Sequence, residues 1–595
     1  MRARSISSVR TKCAKPLRSR LTHGIAGAMC VCVAGLSAAA SADAFESAPL
    51  AASTARSGLF VQQGPKLTAG DESGPGEFGG SVSVSADGNT ALVGGSGDSS
   101  GGGAAWVFTR AGGVWAQQGS KLTPSNVVGQ ARFGTSVSLS ADGNTALVGG
   151  YGDSGSGAAW VFTRSGGTWK QAAKVTANDE AGAGAFGANV ALSADGGTAA
   201  VVALFDNNYS GAAWIFTRSG GTWTQQGPKL TASDETRTEE AGGAGLASVA
   251  LSADGDVALL GGTRDNGFMG AAWVFTRSGG KWTQLGPKFT PTDETLNRSE
   301  FGSSVALSAD GGTALIGGPF DDTGAGAVWG FARSGANWVQ QGPKLTPAGP
   351  TGYRYFGASV ALSADGTTAA IGAPFDDSFV GAAWTFGRSG AGWLQHGGKL
   401  TASDESGQGQ LGSVSLSADG KTLLVGGSRD NNAMGAAWVF SPILVGSQQV
   451  QPAADSNPAG MAEAFRYTAV GTGAAGKVSV YLDSTSAATS VTVGLYTNTS
   501  SGDPGTLLTT GTIATPQGGA WNTITVPAAP VTAGTDYWLA VLAPRKAGTL
   551  TFRDLPGGTG GPAQTSAHTS LTSLPTTWKT GTRFANSPAS LLAAP

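Results

Sequence analysis

Residues Ser359–Asp377 read SVALSADGTTAAIGAPFDD, and near-copies of this stretch recur along most of the chain. The tetrapeptide S-A-D-G keeps the register, with its acidic residue at Asp87, Asp142, Asp195, Asp254, Asp310, Asp365 and Asp419, one every 55 or so residues. Seven such units run from about Gly58 to Ser441, and a fixed period of this length is the mark of a repeat architecture. One full unit, Phe186 to Glu235, contains four runs rich in β-branched and aromatic residues: NVALS, TAAVVAL, AAWIFTR and TWTQQGPKL. Asp-Gly separates the first two and Ser-Gly-Gly the last two, as tight hairpins require. No helical period appears, so the unit is read as four antiparallel strands.

Repeated four-stranded units predict a β-propeller, with blades packed around a central channel. The seventh unit stops at GAAWVFSP (Gly435–Pro442) without a fourth strand. The missing piece lies at the other end, where LFVQQGPKLT (Leu59–Thr68) matches TWTQQGPKLT with Phe60 in place of Trp. An N-terminal strand that completes the last blade closes the ring and removes an open sheet edge. The expected fold is all-β: a seven-bladed propeller over 58–442, followed by a linker over 443–460 and a β-sandwich over 461–595.

The units also carry F-G followed by a G-A-P-like triplet, as in Phe356-Gly357 with Gly372-Ala373-Pro374, or Phe301-Gly302 with Gly317-Gly318-Pro319. This pattern resembles the FG-GAP repeats of integrin α-chain propellers, and more closely the bacterial FG-GAP-like repeat family. The resemblance covers about two-thirds of the chain and implies the propeller fold; a fold by itself does not fix a function. Several integrin blades hold calcium in a D-x-D-x-D-G loop between the first two strands. Here that loop is only S-A-D-G, which cannot supply six to eight oxygen ligands, so that site is not carried over.

In an up-and-down blade, alternate connections lie on opposite faces of the disc. The S-A-D-G turns share one face with the arginines ending strand three (Arg110, Arg164, Arg218, Arg277, Arg333 and Arg388), which suggests weak surface pairs. The loops after strand two hold Asp98, Asp153, Asp206, Asp265, Asp321, Asp322, Asp376, Asp377 and Asp430 on the other face. Inter-blade Asp-Glu pairs such as Asp71-Glu72 and Asp404-Glu405 join them. That face is therefore expected to be acidic. Asp206, Asp265, Asp321, Asp322, Asp376, Asp377 and Asp430 are its candidate binding residues, with calcium as the one cofactor the face leaves room for. The same residue types are also ordinary turn formers. One Trp per blade on strand three (Trp106, Trp160, Trp214, Trp273, Trp329, Trp384 and Trp438) reads as packing between blades. Residues that vary between blades, such as Arg264, Arg354, Tyr353 and Phe379, stand out as carriers of specificity.

Residues 1–42 contain seven Lys and Arg and no acid, then the apolar run GIAGAMCVCVAGLSAAASADA with small residues near Ala42. These are the features of a secretory signal peptide, followed by a linker over 43–57. All three cysteines fall within it, so the mature chain is expected to be secreted or at the cell surface without disulfides. Losing the seven basic residues leaves an acidic excess, which disfavours nucleic acid as a partner. No membrane span is read from the sequence, and a monomer is expected.

From about Val445 the composition shifts to Thr, Ser, Ala and Pro. KVSVYLD, SVTVGLYT, NTITVPA, DYWLAVLAP and TLTFRD read as short strands of a sandwich. The segment is similar to the jelly-roll modules appended to secreted bacterial proteins, and Trp521 and Trp578 are its candidate sugar-stacking residues. Outside the signal segment only His396 and His568 remain as histidines, and the acidic pairs repeat instead of breaking the pattern at one place. No catalytic constellation is therefore assigned. The function read from the sequence is non-catalytic binding or adhesion to an extracellular protein or glycan. The competing reading is a secreted carbohydrate-active enzyme or lectin that binds carbohydrate through the C-terminal module.

Overall fold

A computed structural model describes residues 60–595 except 112, 239–242, 244, 296–297, 349–351, 391 and 558–560. The signal segment over 1–42 and the linker over 43–57 lie outside the described residues. Seven four-stranded antiparallel sheets come first. They are called sheets 1 to 7 here, after first strands at Ser81–Val84, Ser136–Leu139, Phe186–Leu192, Leu246–Leu251, Ser304–Leu307, Ser359–Leu362 and Leu411–Leu416.

The S-A-D-G tetrapeptide does two jobs. Its Ser hydroxyl donates to the Asp carboxylate at 2.5–2.7 Å, and the same hydroxyl oxygen accepts the N–H of the residue that opens strand two, as in Ser193 with Asp195 and Thr198. The hairpin is thus closed by its own side chains. The Ala works between sheets: Ala86 N–H donates to Ala141 O, Ala141 to Ala194, Ala194 to Ala253, Ala253 to Ala309, Ala309 to Ala364, Ala364 to Ala418, and Ala418 back to Ala86, all at 2.9–3.1 Å. Seven amide hydrogen bonds form a circle, so the seven sheets make a closed ring, a β-propeller.

Between neighbouring sheets lies the core. Leu92 and Val107 of sheet 1, for example, meet Val148, Trp160 and Phe162 of sheet 2, all buried. Each of these large apolar side chains contributes about 1.5–3 kcal/mol when removed from water. The innermost strands would otherwise leave unpaired amides along the channel. Side chains from the preceding sheet meet several of them: Ser136 Oγ accepts Val190 N–H, and Ser359 Oγ accepts Val414 N–H, each at 3.1 Å.

Phe60–Gln62 pairs antiparallel with Ala436–Pro442 and completes sheet 7, with Phe60 opposite Pro442 and Gln62 opposite Phe440. Leu67 N–H then donates to Ala437 O at 2.7 Å. The F-G pair has an equally local cause. Gly79 and Gly134 sit at φ +89° and +91°, and a Cβ on either would lie 2.3 Å from a carbonyl of the preceding sheet, Ala436 O or Ala104 O. Only glycine fits there. The Phe before it packs edge-on against the strand-three Trp of its own sheet, as in Phe78–Trp106 at 5.3 Å.

The fourth strand is shorter than expected in most sheets. In sheet 3 it spans Thr222–Gln225, after which the chain turns and Leu230 rejoins Ala213 by a pair of backbone bonds.

The expected linker over 443–460 is corrected by the structure. Ile443 and Leu444 are buried, Val445–Gly446 is already a strand pairing with Leu591–Ala594, and Ala453–Asn457 is another. Ile443 packs with Val61, Leu592 and Ala594, which joins the ring-closing strand to the C-terminal part. Beyond it lie two six-stranded sheets. Val478, Val480, Phe552 and Leu591 of one and Phe465, Val493, Leu495 and Val541 of the other share one core.

Glu463 is placed in that region, 2% exposed. Its Oε2 accepts Asn457 Nδ2–H at 2.8 Å. Burial first, then the neighbouring Asp455 and Asp554, push its carboxyl up to about 7. The folded state therefore holds a proton that the unfolded chain releases near its ordinary value of 4.5. Stability from this group is full at acid pH and is lost as pH rises from there through 7. Urea melts should show Glu463→Gln gaining about 3 kcal/mol on wild type between pH 4 and pH 8; a difference independent of pH would contradict the burial argument.

Candidate functional site

The loops after strand two share one backbone solution. In sheet 3, Asn207 and Asn208 adopt φ/ψ near +51/+57° and +55/+56°, a single left-handed turn starting at Asp206. Asn266, Asp322, Asp377, Asn431 and Asn432 take the same conformation in other sheets. Asn and Asp tolerate it better than other side chains, which accounts for their abundance there.

The structure reverses the expectation of a free acidic face. Asp98, Asp153, Asp206, Asp265, Asp321, Asp376 and Asp430 are buried. Each carboxylate is held by the Lys of the G-P-K-L turn or its counterpart: Lys121, Lys174, Lys229, Lys288, Lys344, Lys399 and Lys66, in that order, with N–O distances of 2.5–2.9 Å. Among the described residues, the other carboxylate oxygen accepts a backbone N–H in six of these loops, such as Thr236 N at 2.6 Å on Asp265. The cation in each loop is thus the protein's own ammonium. Of the candidate acidic residues only Asp322 and Asp377 face solvent.

Two further expectations change. Among the described residues no ion pair joins a strand-three Arg to an S-A-D-G carboxylate. Arg110 instead donates to Asn89, Gln63 and Thr422, and Arg164 to Asn144, Gln118 and Thr90, which staples consecutive sheets together. The inter-blade Asp residues are clamps for the buried indoles. Asp71, Asp179, Asp234, Asp293 and Asp404 accept Nε1–H from Trp106, Trp214, Trp273, Trp329 and Trp438 at 2.6–2.8 Å. Burial alone would raise these carboxyls; the bonds they accept from indole, Gln or backbone N–H groups outweigh it and hold them below the usual range.

With the repeated polar groups accounted for, the differences between sheets become informative. Flanking the left-handed turns are Phe205 and Tyr209 in sheet 3, Arg264 and Phe268 in sheet 4, Phe320 in sheet 5, and Phe375 and Phe379 in sheet 6. The inter-sheet connections add Arg298, Tyr353 and Tyr355. These side chains touch in sequence. Phe205 meets Tyr209 at 5.3 Å, and the Arg264 guanidinium lies over Tyr209 at 4.8 Å and Phe268 at 5.7 Å. Arg298 covers Phe268 at 5.2 Å. Farther round, Tyr355 meets Phe320, Tyr353 and Phe375 at 4.6 Å each, and Phe375 meets Phe379 at 5.0 Å.

The charge of Glu300 acts on both groups. Burial raises its carboxyl while Arg264 and Arg298 pull it back. Tyr355 is pushed up to about 12, first by burial, then by its hydrogen bond to Tyr353. Phe205, Tyr209, Tyr353 and Phe379 are 45%, 50%, 54% and 41% exposed. A contiguous exposed patch of aromatic and Arg side chains has the composition of an interaction surface. In sheet 6, Arg354 meets the second oxygen of Asp376 at 3.2 Å. The rings of Tyr353 and Tyr355 lie against Gly324, where a Cβ would come within 2.7 Å of Tyr353.

The two C-terminal candidates for sugar stacking differ in exposure. Trp578 is buried against Tyr496 and Leu574, and Trp521 is half-buried against Tyr481 and the junction with the ring. Trp521 is held by strand pairing opposite Tyr481, and Trp578 follows the Thr506–Thr577 bridge.

Four segments, 61–108, 115–162, 169–216 and 338–386, match the family model described as FG-GAP repeat. The chain thus carries FG-GAP repeats. Each matched segment starts in the fourth strand of one sheet and ends in the third strand of the next, the same offset by which Phe60–Gln62 completes sheet 7. The first three strands of sheets 4, 5 and 7 fall outside the matches; sheets 4 and 7 read Leu246-Ala247 and Leu411-Gly412 in place of F-G, whereas sheet 5 keeps Phe301-Gly302. No curated protein matches the chain. Among solved structures it is similar to the beta-propeller domain of Myceliophteria thermophila Cps50 (Swd1), with 11% identity, 64% of this chain and 99% of that chain covered, and a TM-score of 0.42. Among the described residues no helix is long and apolar enough to cross a membrane.

Proposed function

We propose that this is a secreted, non-catalytic binding protein that presents one loop face of a rigid propeller to an extracellular protein or glycan. The observation that carries this reading is the exposed aromatic and Arg belt from Phe205 to Phe379, mounted on a ring closed by hydrogen bonds. Loops on a stiff scaffold present side chains at little entropic cost. The repeated carboxylates are neutralised by Lys in buried pairs, which favours a structural part for them over catalysis. Secretion rests on the basic and apolar pattern of residues 1–42. The two C-terminal sheets are read as a β-sandwich continuous with the last blade, without a flexible tether.

The test is a binding screen of the full mature chain against immobilised glycans and extracellular proteins, run beside a Phe205→Ser/Tyr209→Ser/Tyr353→Ser variant with unchanged melting. A ligand retained by wild type and lost by at least tenfold in the variant supports the reading. Turnover of a soluble glycan, or binding indifferent to the variant, overturns it.

A further inference from the structure

The aromatic belt ends at a cleft that it does not itself line. Between sheets 6 and 7 is an open cavity of about 350 Å³ lined by Ser406, Gln408, Gln410, Arg429 and Asn432. That volume lies at the small end of ligand pockets, which run from about 300 to 1,000 Å³. Its walls are tied to the belt. Gln408 Nε2–H donates to Ser378 O and Gln410 N–H donates to Phe379 O, both at 3.0 Å. The exposed ring of Phe379 therefore belongs to the residue whose carbonyl anchors the cleft wall.

We propose that this cleft binds a neutral saccharide, one or two rings in the polar cavity with the chain continuing over Phe379 and Phe375. The proposal rests on the binding function above and names its ligand class. The chemistry of the lining supports it. Three carboxamides and a serine hydroxyl each donate and accept, and each sugar hydroxyl also does both, so the two sets match. Arg429, the one charge among the lining residues, is met by Glu77 of the N-terminal segment at 3.3 Å. A carboxylate ligand would have to compete with Glu77, whereas a neutral hydroxyl would not. Aromatic rings beside such a cleft present apolar faces to the C–H side of a sugar ring. In sheets 1 and 2 the residues corresponding to Phe375 and Phe379 are Gly97 and Gly101, then Gly152 and Ser156, so this combination is not a property of every blade.

The test is calorimetry on the full mature chain with four neutral probes, the tetrasaccharides of β-1,4-glucose, β-1,4-mannose, β-1,4-galactose and β-1,4-N-acetylglucosamine, with tetragalacturonate as the acidic control. At least one neutral probe should bind with a dissociation constant below about 1 mM. Gln408→Ala should weaken it about three- to tenfold, the range for loss of one neutral hydrogen bond. Phe379→Ala should weaken it by a similar factor. Gln408 is exposed, so the melting temperature of its variant should be unchanged. Absence of binding by all four neutral probes, a preference for tetragalacturonate, or an affinity unmoved by Gln408→Ala overturns the proposal. If those outcomes accompany belt-dependent binding of a protein in the earlier screen, only the saccharide assignment falls.

Discussion

A chain starting at Ala69, without Phe60–Leu67, should no longer elute as a folded monomer and should melt at a much lower temperature or aggregate. The segment buries Phe60, Val61 and Leu67, each more than nine-tenths removed from solvent. At about 1.5–3 kcal/mol apiece they amount to a large part of the 5–15 kcal/mol that holds a typical domain together. Deletion also bares the edge of Ala436–Pro442 at the point where Val61 meets Ile443 and Leu592. An unpaired edge of this length is a template for other strands. A synthetic peptide spanning residues 58–68 added to the shortened chain should restore monomeric elution and raise the melting temperature. A shortened chain that stays monomeric with wild-type melting would show that the ring does not depend on this strand.

Lys288→Met should cost about 3–5 kcal/mol, because it strands the fully buried carboxylate of Asp265 without a cation. The double variant Lys288→Met/Asp265→Asn should recover much of the loss, since a neutral amide can keep the bond from Thr236 N–H. Arg237→Ala, by contrast, removes a pair with Glu235 whose Arg is half exposed, and should change stability by less than about 1 kcal/mol. Denaturant titration of the four proteins checks this order. Equal effects of Lys288→Met and Arg237→Ala would mean that the loop pairs are only surface contacts.

Much of this fold could be read from local pattern. Alternating apolar residues, Asp-Gly turns and the displaced QQGPKLT strand together predicted four-stranded sheets and the closing of the ring, since each is encoded within about ten residues. In the C-terminal part the strands at Val478, Val491 and Tyr537 were legible for the same reason. Ala453–Asn457 was not: AADSN is polar, lies at a sheet edge, and owes its strand form to pairing with Leu550–Asp554.

The site was harder to read. The acidic loops suggested a solvent face because Asp206 and Lys229 stand 23 residues apart, a distance no local period connects. A signal did exist, since most units repeat the Lys at the same offset from the Asp, and a charge that recurs in register with its opposite is a candidate partner. Arg264, Arg354, Tyr353 and Phe379 were legible as departures from the repeat. That they fall along one continuous belt depends on which loops the ring brings side by side.

The circle of alanine amides makes closure a property of the whole ring. Each unit gives one hydrogen bond and receives one, all in the same rotational sense, so the circle has no first or last member. Duplication or loss of one unit in the gene would alter the circumference and oblige every remaining junction to re-angle at once. Substitution in a single loop leaves the circle untouched. The frame therefore depends on all seven junctions together, whereas a change within one loop breaks no bond of the circle.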